Sequence, residues 1–438
     1  MNIKYLYIDS YKNLSSFEIH FEPQINMIAL AGKNGSGKSN VLEAIAKIFA
    51  SIISINNLGF KFTIHYTIHG DNVVATNTSG SLQITKNGAK ISKADFRTIM
   101  PITIFLYYAG ETNRLKDICE VTIDKIFDKC IKDGETPSYK LVSYLSIDDF
   151  GLSLMVNKCF GLEVLNDLQS VVGIEDISKK CIVHLKRPSW GKNGKPELFW
   201  NAKGYVAEVI NFLKNNGSYS IINKDKIIIS IENCEILRDT LMGPEGLFKS
   251  LKILMQADIL NYIEINVVKD GQTINCDELS EGEKQLANIL SILNFTKDYN
   301  ALFLLDEFDS YLHPSWQRTF AAAIDFENLT GQIIFTTHSP LTLSQMKREN
   351  VFLLREGAIF GSGIDTYNRD VSEIMGELMD VPLRPEHIEE LIKKFNKSVA
   401  LKSIDDAKKL RAELIELLSK EDPFLITANL SIARLERK

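Results

Sequence analysis

Apolar runs separated by polar segments occur in this chain on both sides of its middle part. Such runs occupy residues 25–31, 102–108, 301–305 and 333–335. An apolar run of this kind is typical of a strand that is buried on both faces of a parallel sheet. Residues 41–48 and 286–293 instead carry apolar positions at helical spacing, which predicts amphipathic helices after the first run and before the third.

The middle and the end of the chain follow other patterns. Between residues 113 and 270 we find short mixed elements, without the sustained heptads that a long coiled coil requires. This predicts a compact, mainly helical insert. After residue 364 the pattern is strongly helical, with Ile388, Leu391, Ile392 and Phe395 spaced i, i+3, i+4, i+7. These tail helices either pack on the preceding domain or present a docking face to a partner.

Composition and charge narrow the class of protein. The 438 residues are 45% hydrophobic and 24% charged, which is ordinary for a globular chain of two or three domains. The net charge of −6 excludes a simple polycation, so any nucleic-acid surface must be local. Six cysteines are scattered without a C-x-x-C pair, and no apolar run approaches the roughly 20 residues of a membrane helix. We expect a reduced, cytoplasmic protein without membrane contact.

A glycine-rich loop joins the first apolar run to its helix. The glycines allow backbone N–H groups to converge on phosphate oxygens, and the helix start adds a favourable dipole. The Lys38 ammonium can reach the β- and γ-phosphates, and the Ser39 hydroxyl can coordinate Mg²⁺. The pattern predicts a nucleoside triphosphate site, with contacts from Gly32, Asn34, Gly35, Gly37, Lys38, Ser39 and Asn40.

Acidic residues follow the third apolar run, and a histidine follows the fourth. Asp306 can hold Mg²⁺ through water, and Glu307 can orient and deprotonate an attacking water. The alternative is a pair of solvated loop acids, which the five preceding apolar residues disfavour. His338 can contact a γ-phosphate and help to position the water, although a lone histidine more often makes a structural hydrogen bond.

The helix before the third run opens with L-S-E-G-E-K-Q at residues 279–285. Ser280 is a favourable N-cap, and Gly282 permits a phosphate to approach the helix end. Taken alone, the motif is also an ordinary capping box. Its position between a phosphate-binding loop and the Asp-Glu strand favours nucleotide contact through Ser280, Gly282 and Glu283.

The order G-x-x-x-x-G-K-S, L-S-x-G-E-K-Q, D-E-F-D-S-Y-L-H-P, T-T-H-S-P resembles the ABC-type ATPase heads of the SMC, RecF and overcoming-lysogenization class. The resemblance implies an α/β head, with a β-lobe and a mostly parallel core sheet, that binds ATP and Mg²⁺. We expect the head to comprise residues 1–115 and 265–365, the insert residues 116–264, and a helical tail residues 366–438.

In heads of this class, two subunits enclose two ATP molecules. The resemblance therefore implies a homodimer, or a higher oligomer, in which Ser280 and Gly282 complete the ATP site of the other subunit and Asp309 signals across the interface. It also implies catalytic roles for Lys38, Glu307 and His338, and metal-binding roles for Ser39 and Asp306.

One position departs from the family pattern. These heads usually carry a glutamine after the strand between the phosphate loop and the signature, whereas residues 109–114 here read A-G-E-T-N-R. Glu111 or Asn113 can take over the contact with Mg²⁺ or water, or the role is absent. The sequence does not assign it.

The insert contains a basic stretch, Lys179 to Lys226, in which ten cations stand against three acids, a local charge of +7. Aromatic residues are interleaved with it. Basic side chains neutralise phosphates and aromatic rings stack on bases, so contact with DNA or RNA is one interpretation. The other, more usual for such a run, is a solvated basic face with its aromatic side chains in the core. The aromatic residues are Trp190, Phe199, Trp200 and Tyr205.

The tail lacks the spaced acidic residues of a metal-dependent nuclease, so we expect no nuclease site in this chain. The layout of head, insert and tail resembles the ATPase subunits of bacterial anti-phage systems, above all the PtuA family of Septu systems and retrons. This resemblance implies an HNH nuclease partner of the PtuB kind and, in retrons, a reverse transcriptase with its msDNA. We expect an ATP-hydrolysing subunit that regulates a separate nuclease.

Two other functions stay open at this stage. A RecF-like DNA-repair ATPase would bind DNA in an ATP-dependent manner and need no toxic partner. A structural scaffold would bind ATP, hydrolyse little of it and organise a nuclease.

Overall fold

The computed structural model describes residues 1–22, 25–54, 57–110, 112–119, 141–240, 243–323, 329–361, 365–379, 384–419 and 421–436. The chain divides into two compact units, Met1–Arg369 and Asp370–Lys438. The first unit contains three sheets with flanking helices, and the second is helical.

A seven-stranded sheet forms the core of the first unit, with the strand order β18-β17-β3-β16-β15-β8-β9. Its neighbouring strands are parallel, except that β18 runs antiparallel to β17. Every residue of β3, β15 and β16 is buried, as their continuous apolar runs predict. The strands are β3 (Met27–Ala31), β8 (Thr103–Tyr108), β9 (Leu141–Tyr144), β15 (Leu302–Asp306), β16 (Gln332–Thr337), β17 (Val351–Arg355) and β18 (Ala358–Gly361).

A six-stranded antiparallel sheet packs over the core sheet as the expected β-lobe, with the order β2-β1-β4-β5-β6-β7. Helix α1 (Lys38–Ser54) shares one hydrophobic core with both sheets, through side chains such as Val41 and Ile45. The strands are β1 (Asn2–Tyr11), β2 (Leu14–His20), β4 (Phe62–Ile68), β5 (Asp71–Thr76), β6 (Gln83–Lys86) and β7 (Ala89–Lys90).

The insert contains more sheet than a mainly helical segment would. Its sheet has five antiparallel strands in the order β11-β12-β10-β13-β14, of which β13 runs past residue 264 and β14 lies wholly beyond it, and four helices accompany the sheet between residues 150 and 256. The strands are β10 (Ile174–Lys186), β11 (Ser218–Asn223), β12 (Lys226–Ile231), β13 (Leu260–Lys269) and β14 (Gln272–Asn275), and the helices are α2 (Phe150–Phe160), α3 (Val164–Val172), α4 (Gly204–Asn215) and α5 (Gly243–Gln256).

An irregular strand pairing explains why the sequence pattern did not predict this sheet. The pairing of β10 with β13 shifts register between Ile177 and Cys181, where the exposed side chain of Lys180 breaks the alternation of buried and exposed positions. Asp270 and Gly271 form the β13–β14 turn. Both residues have positive φ, 50° and 69°, as a two-residue hairpin turn of this kind requires.

Among the described residues of the first unit, three helices follow the insert sheet and lie around the core sheet. Helix α6 (Glu281–Thr296) precedes β15, α7 (Pro314–Ala323) follows it, and the short α8 (Pro340–Leu343) follows β16. Because the strands are parallel, their carboxyl ends meet at one edge, where Asp306 and Thr337 end β15 and β16. Among the described residues, no helix combines the length and the hydropathy that crossing a membrane requires.

The second unit begins with α9 (Val371–Glu377), followed by α10 (Glu386–Ala400), α11 (Ile404–Leu417) and α12 (Pro423–Glu436). Helices α10 to α12 share a small core that includes Phe395 and Leu414. Ser403 stands at the N-cap position of α11, although its side chain accepts no hydrogen bond from a backbone N–H of the helix. The last helix begins at Pro423 and spans 14 residues.

Candidate nucleotide-binding site

The glycine-rich loop follows β3 directly and leads into α1. Gly32 has a φ of 143°, and a Cβ atom there would lie 2.3 Å from the carbonyl oxygen of Leu354. Gly37 has a φ of 106°, and its Cβ atom would lie 2.9 Å from the Leu14 side chain. Both positions therefore require glycine for backbone conformation and for space.

Lys38 lies under this loop and is only 4% exposed. Its Nζ donates hydrogen bonds to the carbonyl oxygens of Gly32, at 2.8 Å, and Lys33, at 3.1 Å. Burial lowers the pKa of Lys38 to about 8, although the charges of Glu307 and Asp306 act to raise it. At neutral pH the side chain is therefore a cation held inside the curve of the loop.

This pKa makes ATP binding depend on pH. A phosphate group binds the ammonium form of Lys38, so we expect ATP affinity to fall about tenfold per unit once the pH exceeds the pKa near 8. Calorimetric titration with ATP from neutral to alkaline pH measures this. A Lys38→Arg variant is the control, because its guanidinium stays charged throughout. A flat pH profile for the unmodified protein would contradict the assignment.

Two asparagines and a neighbouring hairpin brace the loop from outside. Asn13 Nδ2 donates to the Gly35 carbonyl oxygen at 2.8 Å, and Asn40 Nδ2 donates to Asn13 Oδ1 at 2.7 Å. The Gly357 N–H donates to the Ser36 carbonyl oxygen at 3.0 Å. Asn40 thus supports the loop through Asn13, which the sequence did not single out. Asn34 is an exposed member of the loop.

Asp306 is fully buried at the end of β15 and makes three side-chain contacts. Its Oδ1 accepts hydrogen bonds from Ser39 Oγ at 2.8 Å and Thr336 Oγ1 at 2.6 Å, and its Oδ2 pairs with the Arg114 guanidinium. The structure thus brings together the two predicted metal-binding side chains. A hydroxyl beside one carboxylate fits Mg²⁺, which prefers oxygen donors and keeps several waters or substrate phosphates as further ligands.

Arg114 follows the position where related heads usually have a glutamine. Besides pairing with Asp306, its guanidinium lies 4.3 Å from the centre of the Tyr108 ring. Glu111, one of the two candidates for this position, lies outside the described residues. The carbonyl oxygen of Asn113, the other candidate, accepts a hydrogen bond from the Asp117 N–H at 2.8 Å. Arg114, which the sequence did not indicate as a site residue, is therefore the cation that contacts Asp306.

Because Arg114 pairs with Asp306, its removal should destabilise the protein, and bound Mg²⁺ with ATP should reduce this loss of stability. Arg114→Ala leaves a buried carboxylate without its cation, and we expect it to lower the free energy of unfolding by about 2 kcal/mol, the range of a lost hydrogen bond to a charged group. Urea unfolding measures this loss, and Arg114→Lys, which keeps the charge, should lose less. With Mg²⁺ and ATP present the difference should shrink, because the metal then supplies positive charge at Asp306. If Arg114→Ala lowers the free energy of unfolding equally with and without Mg²⁺ and ATP, the metal does not bind at the carboxylate that Arg114 contacts.

Glu307 adopts a left-handed backbone conformation, with a φ of 53°. Such a conformation is costly for a residue other than glycine and is often found where the surrounding structure fixes a functional side chain. Here the Glu307 N–H donates to Thr336 Oγ1 at 2.9 Å. The side chain is one-third exposed, and its Oε1 lies 4.0 Å from His338 Nε2.

His338 is neutral at physiological pH. Burial, and then the nearby charge of Lys38, lower the pKa of His338 to about 4, against the opposing effect of Asp306. A neutral imidazole can donate one hydrogen bond and accept another. The structure thus places Lys38, Ser39, Asp306, Glu307 and His338 together, as the sequence predicts.

Asp309 is buried beside this group rather than exposed. Its Oδ2 accepts hydrogen bonds from Thr337 Oγ1 and, at 2.7 Å, from Thr342 Oγ1. Burial raises the pKa of Asp309, although these hydrogen bonds act to lower it. Within one chain, Asp309 therefore ties its own loop to β16 and α8. Its role across a subunit interface stays a prediction.

The signature residues form the N-terminus of α6. Ser280 Oγ accepts the Glu283 N–H at 3.4 Å, and Glu283 Oε2 accepts the Ser280 N–H at 2.8 Å, which is a complete capping box. Glu283 also pairs with Lys269. A Cβ atom on Gly282 would lie 3.1 Å from the Tyr311 carbonyl oxygen. These contacts are local to each chain, and contact with the ATP of a second subunit stays a prediction.

The basic stretch of the insert matches the structural interpretation better than the stacking one. The side chains of Phe199, Trp200 and Tyr205 are buried, and Trp200 Nε1 donates to the Lys224 carbonyl oxygen at 2.8 Å. Trp190 is 38% exposed. Several cations form ion pairs: Lys179 with Glu235, Lys180 with Glu232, Lys186 with Asp258 and Arg187 with Asp225.

Comparison with known proteins finds one matching family model. Residues 205–344 match the family described as "AAA domain, putative AbiEii toxin, Type IV TA system", and this range contains the signature helix, Asp306, Glu307 and His338.

Three relatives are similar over most of the chain. "Retron Vc95 probable ATPase" of Vibrio cholerae serotype O1 biovar El Tor is 24% identical over 88% of this chain and 81% of the relative. "Retron Ec83 probable ATPase" of Escherichia coli is 23% identical over 98% and 86%. "Septu protein PtuA" of Bacillus thuringiensis is 24% identical over 77% and 72%. The resemblance to retron and Septu ATPases is thereby confirmed.

Proposed function

We propose that this chain is an ATP-hydrolysing regulatory subunit of a bacterial anti-phage defence complex, in which it controls a separate HNH nuclease. The observation that carries the ATPase assignment is the convergence of Lys38, Ser39, Asp306, Glu307 and His338 at one sheet edge. The defence assignment rests on relatives that are retron and Septu proteins and that align with most of this chain.

Each side chain has a distinct task in hydrolysis. Lys38 and the N–H groups of the loop bind phosphate oxygens, while Ser39 and Asp306 hold Mg²⁺. When bound, Mg²⁺ neutralises charge that develops on the phosphates. Glu307 takes a proton from the attacking water, and neutral His338, beside Glu307, donates a hydrogen bond to the γ-phosphate.

Two heads are proposed to enclose two ATP molecules, with the α6 N-terminus of one facing the phosphate loop of the other. The capping box supports this role, because it fixes Ser280 and leaves N–H groups of the first helical turn directed outward. Such a dimer would form only while ATP is bound, which is what a regulatory subunit requires.

The experiment that tests the complex is purification of the tagged chain, expressed from its native operon, with identification of the proteins that co-elute. A stoichiometric HNH nuclease would support the proposal, and a reverse transcriptase with msDNA would place the chain in a retron. Recovery of the chain alone, or with recombination factors only, would overturn the defence proposal and favour a RecF-like role. Phosphate release from ATP by the purified chain tests the ATPase part separately.

A further inference from the structure

Strand β11 forms one outer edge of the insert sheet. It pairs with β12 on one side, from Ser218 opposite Ser230 to Ile221 opposite Ile227, and no described strand lies on its other side. Every residue of β11 is exposed. The backbone N–H and C=O groups along the open side can therefore bind another strand.

The edge is also apolar and carries no charge. Tyr219 is 40% exposed, Ile221 39% and Ile222 54%, and Leu198 nearby is 61% exposed. These four side chains form an exposed apolar surface along the edge. Natural edge strands usually carry a charge or a proline that prevents pairing, whereas β11 reads S-Y-S-I-I-N. The register shift between Ile221 and Asn223 lies beside the turn, so residues 218–221 keep a regular ladder.

We propose that β11 pairs antiparallel with β11 of a second copy of this chain about a two-fold axis, which joins two five-stranded sheets into one of ten strands. A two-fold contact uses the same surface on both copies. With Ser220 opposite Ser220, Tyr219 of each copy lies opposite Ile221 of the other, on the same face. Aromatic and β-branched side chains make favourable cross-strand pairs, and no like charges within the strands oppose each other.

The flanking charges define how this contact responds to salt. Lys214 lies 4.7 Å from the centre of the Tyr219 ring, so the pairing brings lysines of two copies toward each other. Screening by salt therefore strengthens the contact. Binding of nucleic acid to the same lysines would weaken with salt instead, because counterions are released on binding.

The contact is weak by itself. Pairing of one short strand buries less than the about 1,200 Å² of a stable interface, so the dimer depends on protein concentration. Where the proposed ATP-dependent head contact also forms, the two interfaces act together and produce assemblies larger than a dimer. Only this second consequence rests on the proposed function.

Sedimentation of the full chain, free of nucleotide and Mg²⁺, over a wide concentration range tests the proposal. We expect a monomer–dimer equilibrium that Ile221→Lys weakens about tenfold or more, because lysines then oppose an apolar edge. Ile236→Lys is the matched control, since Ile236 is 44% exposed elsewhere in the insert. Thermal melting confirms that both variants fold. Because no ATP is present, Lys38→Ala should dimerise as the unmodified chain does, even if the proposed function fails.

Cross-linking tests the register. Mild oxidation of Ser220→Cys should yield a covalent dimer on a non-reducing gel, whereas Ser218→Cys should yield little, because only position 220 faces itself. An unmodified chain that stays monomeric, or a dimer that Ile221→Lys leaves unchanged, would overturn the proposal. So would a monomer whose binding to a fluorescent single-stranded DNA is weakened by Lys214→Ala, which would make the edge a nucleic-acid surface.

Discussion

Replacing Lys38 with alanine is expected to abolish ATP binding. The buried ammonium supplies the one side-chain cation inside the loop, and a hydrogen bond to a charged group contributes roughly 1.5–3 kcal/mol. Loss of two such bonds to phosphate oxygens predicts an affinity at least about 100-fold lower. Calorimetric titration with ATP and Mg²⁺ measures this, and hydrolysis should disappear with binding.

A lysine in the same loop provides the matched control for this experiment. Lys33 has an exposed side chain, so Lys33→Ala should change affinity far less than Lys38→Ala does. Removing Lys38 also removes the cost of burying a charge, so the variant should fold, which circular dichroism verifies. Normal affinity in folded Lys38→Ala would show that the glycine-rich loop does not bind the triphosphate.

Glu307→Gln is expected to slow ATP hydrolysis by about 100-fold or more while ATP still binds. Glutamine keeps the size of the side chain but cannot accept the proton of the attacking water, and a general base typically contributes 10²–10⁴-fold. ATP-bound dimers should then accumulate. Phosphate release measures the rate, and sedimentation in the Ile221→Lys background measures the dimers without the contribution of β11.

The outcomes of the Glu307 experiment separate two parts of the mechanism. Glu349→Gln, which changes an exposed glutamate outside the site, should hydrolyse ATP at the normal rate. Unchanged turnover in Glu307→Gln would remove Glu307 from the role of base. Slow turnover without dimers would keep Glu307 as base and contradict the enclosure of ATP between two heads.

The parts of the site that could be predicted from sequence depend on residues that are adjacent in the chain. The loop from Gly32 to Ser39 combines glycine spacing with an apolar run and a helix, and all three are adjacent in the chain. Asp306 likewise ends one buried strand, and His338 follows another. Parallel pairing brings the ends of such strands to one edge, which is why a one-dimensional pattern placed them together.

The residues that sequence analysis missed act over long distances in the chain. Arg114 reaches Asp306 across 192 positions, and Asn13 braces the loop across 22. Asn13 lies in the β1–β2 turn and Arg114 at the start of a helical segment, and neither position belongs to an apolar periodicity that would indicate its partner. The insert sheet was missed for a related reason, because irregular register and basic residues interrupt the alternation that marks a strand.

Thr336 limits how this site can change during evolution. Its hydroxyl donates its single proton to Asp306 and accepts the N–H of Glu307, so one side chain connects the metal ligand to the base. Serine can make both hydrogen bonds, whereas valine, which has the same shape, can make neither. Substitutions at Asp306, Glu307 and position 336 should therefore be strongly epistatic, and lineages that keep ATP turnover should vary there between two hydroxyl residues.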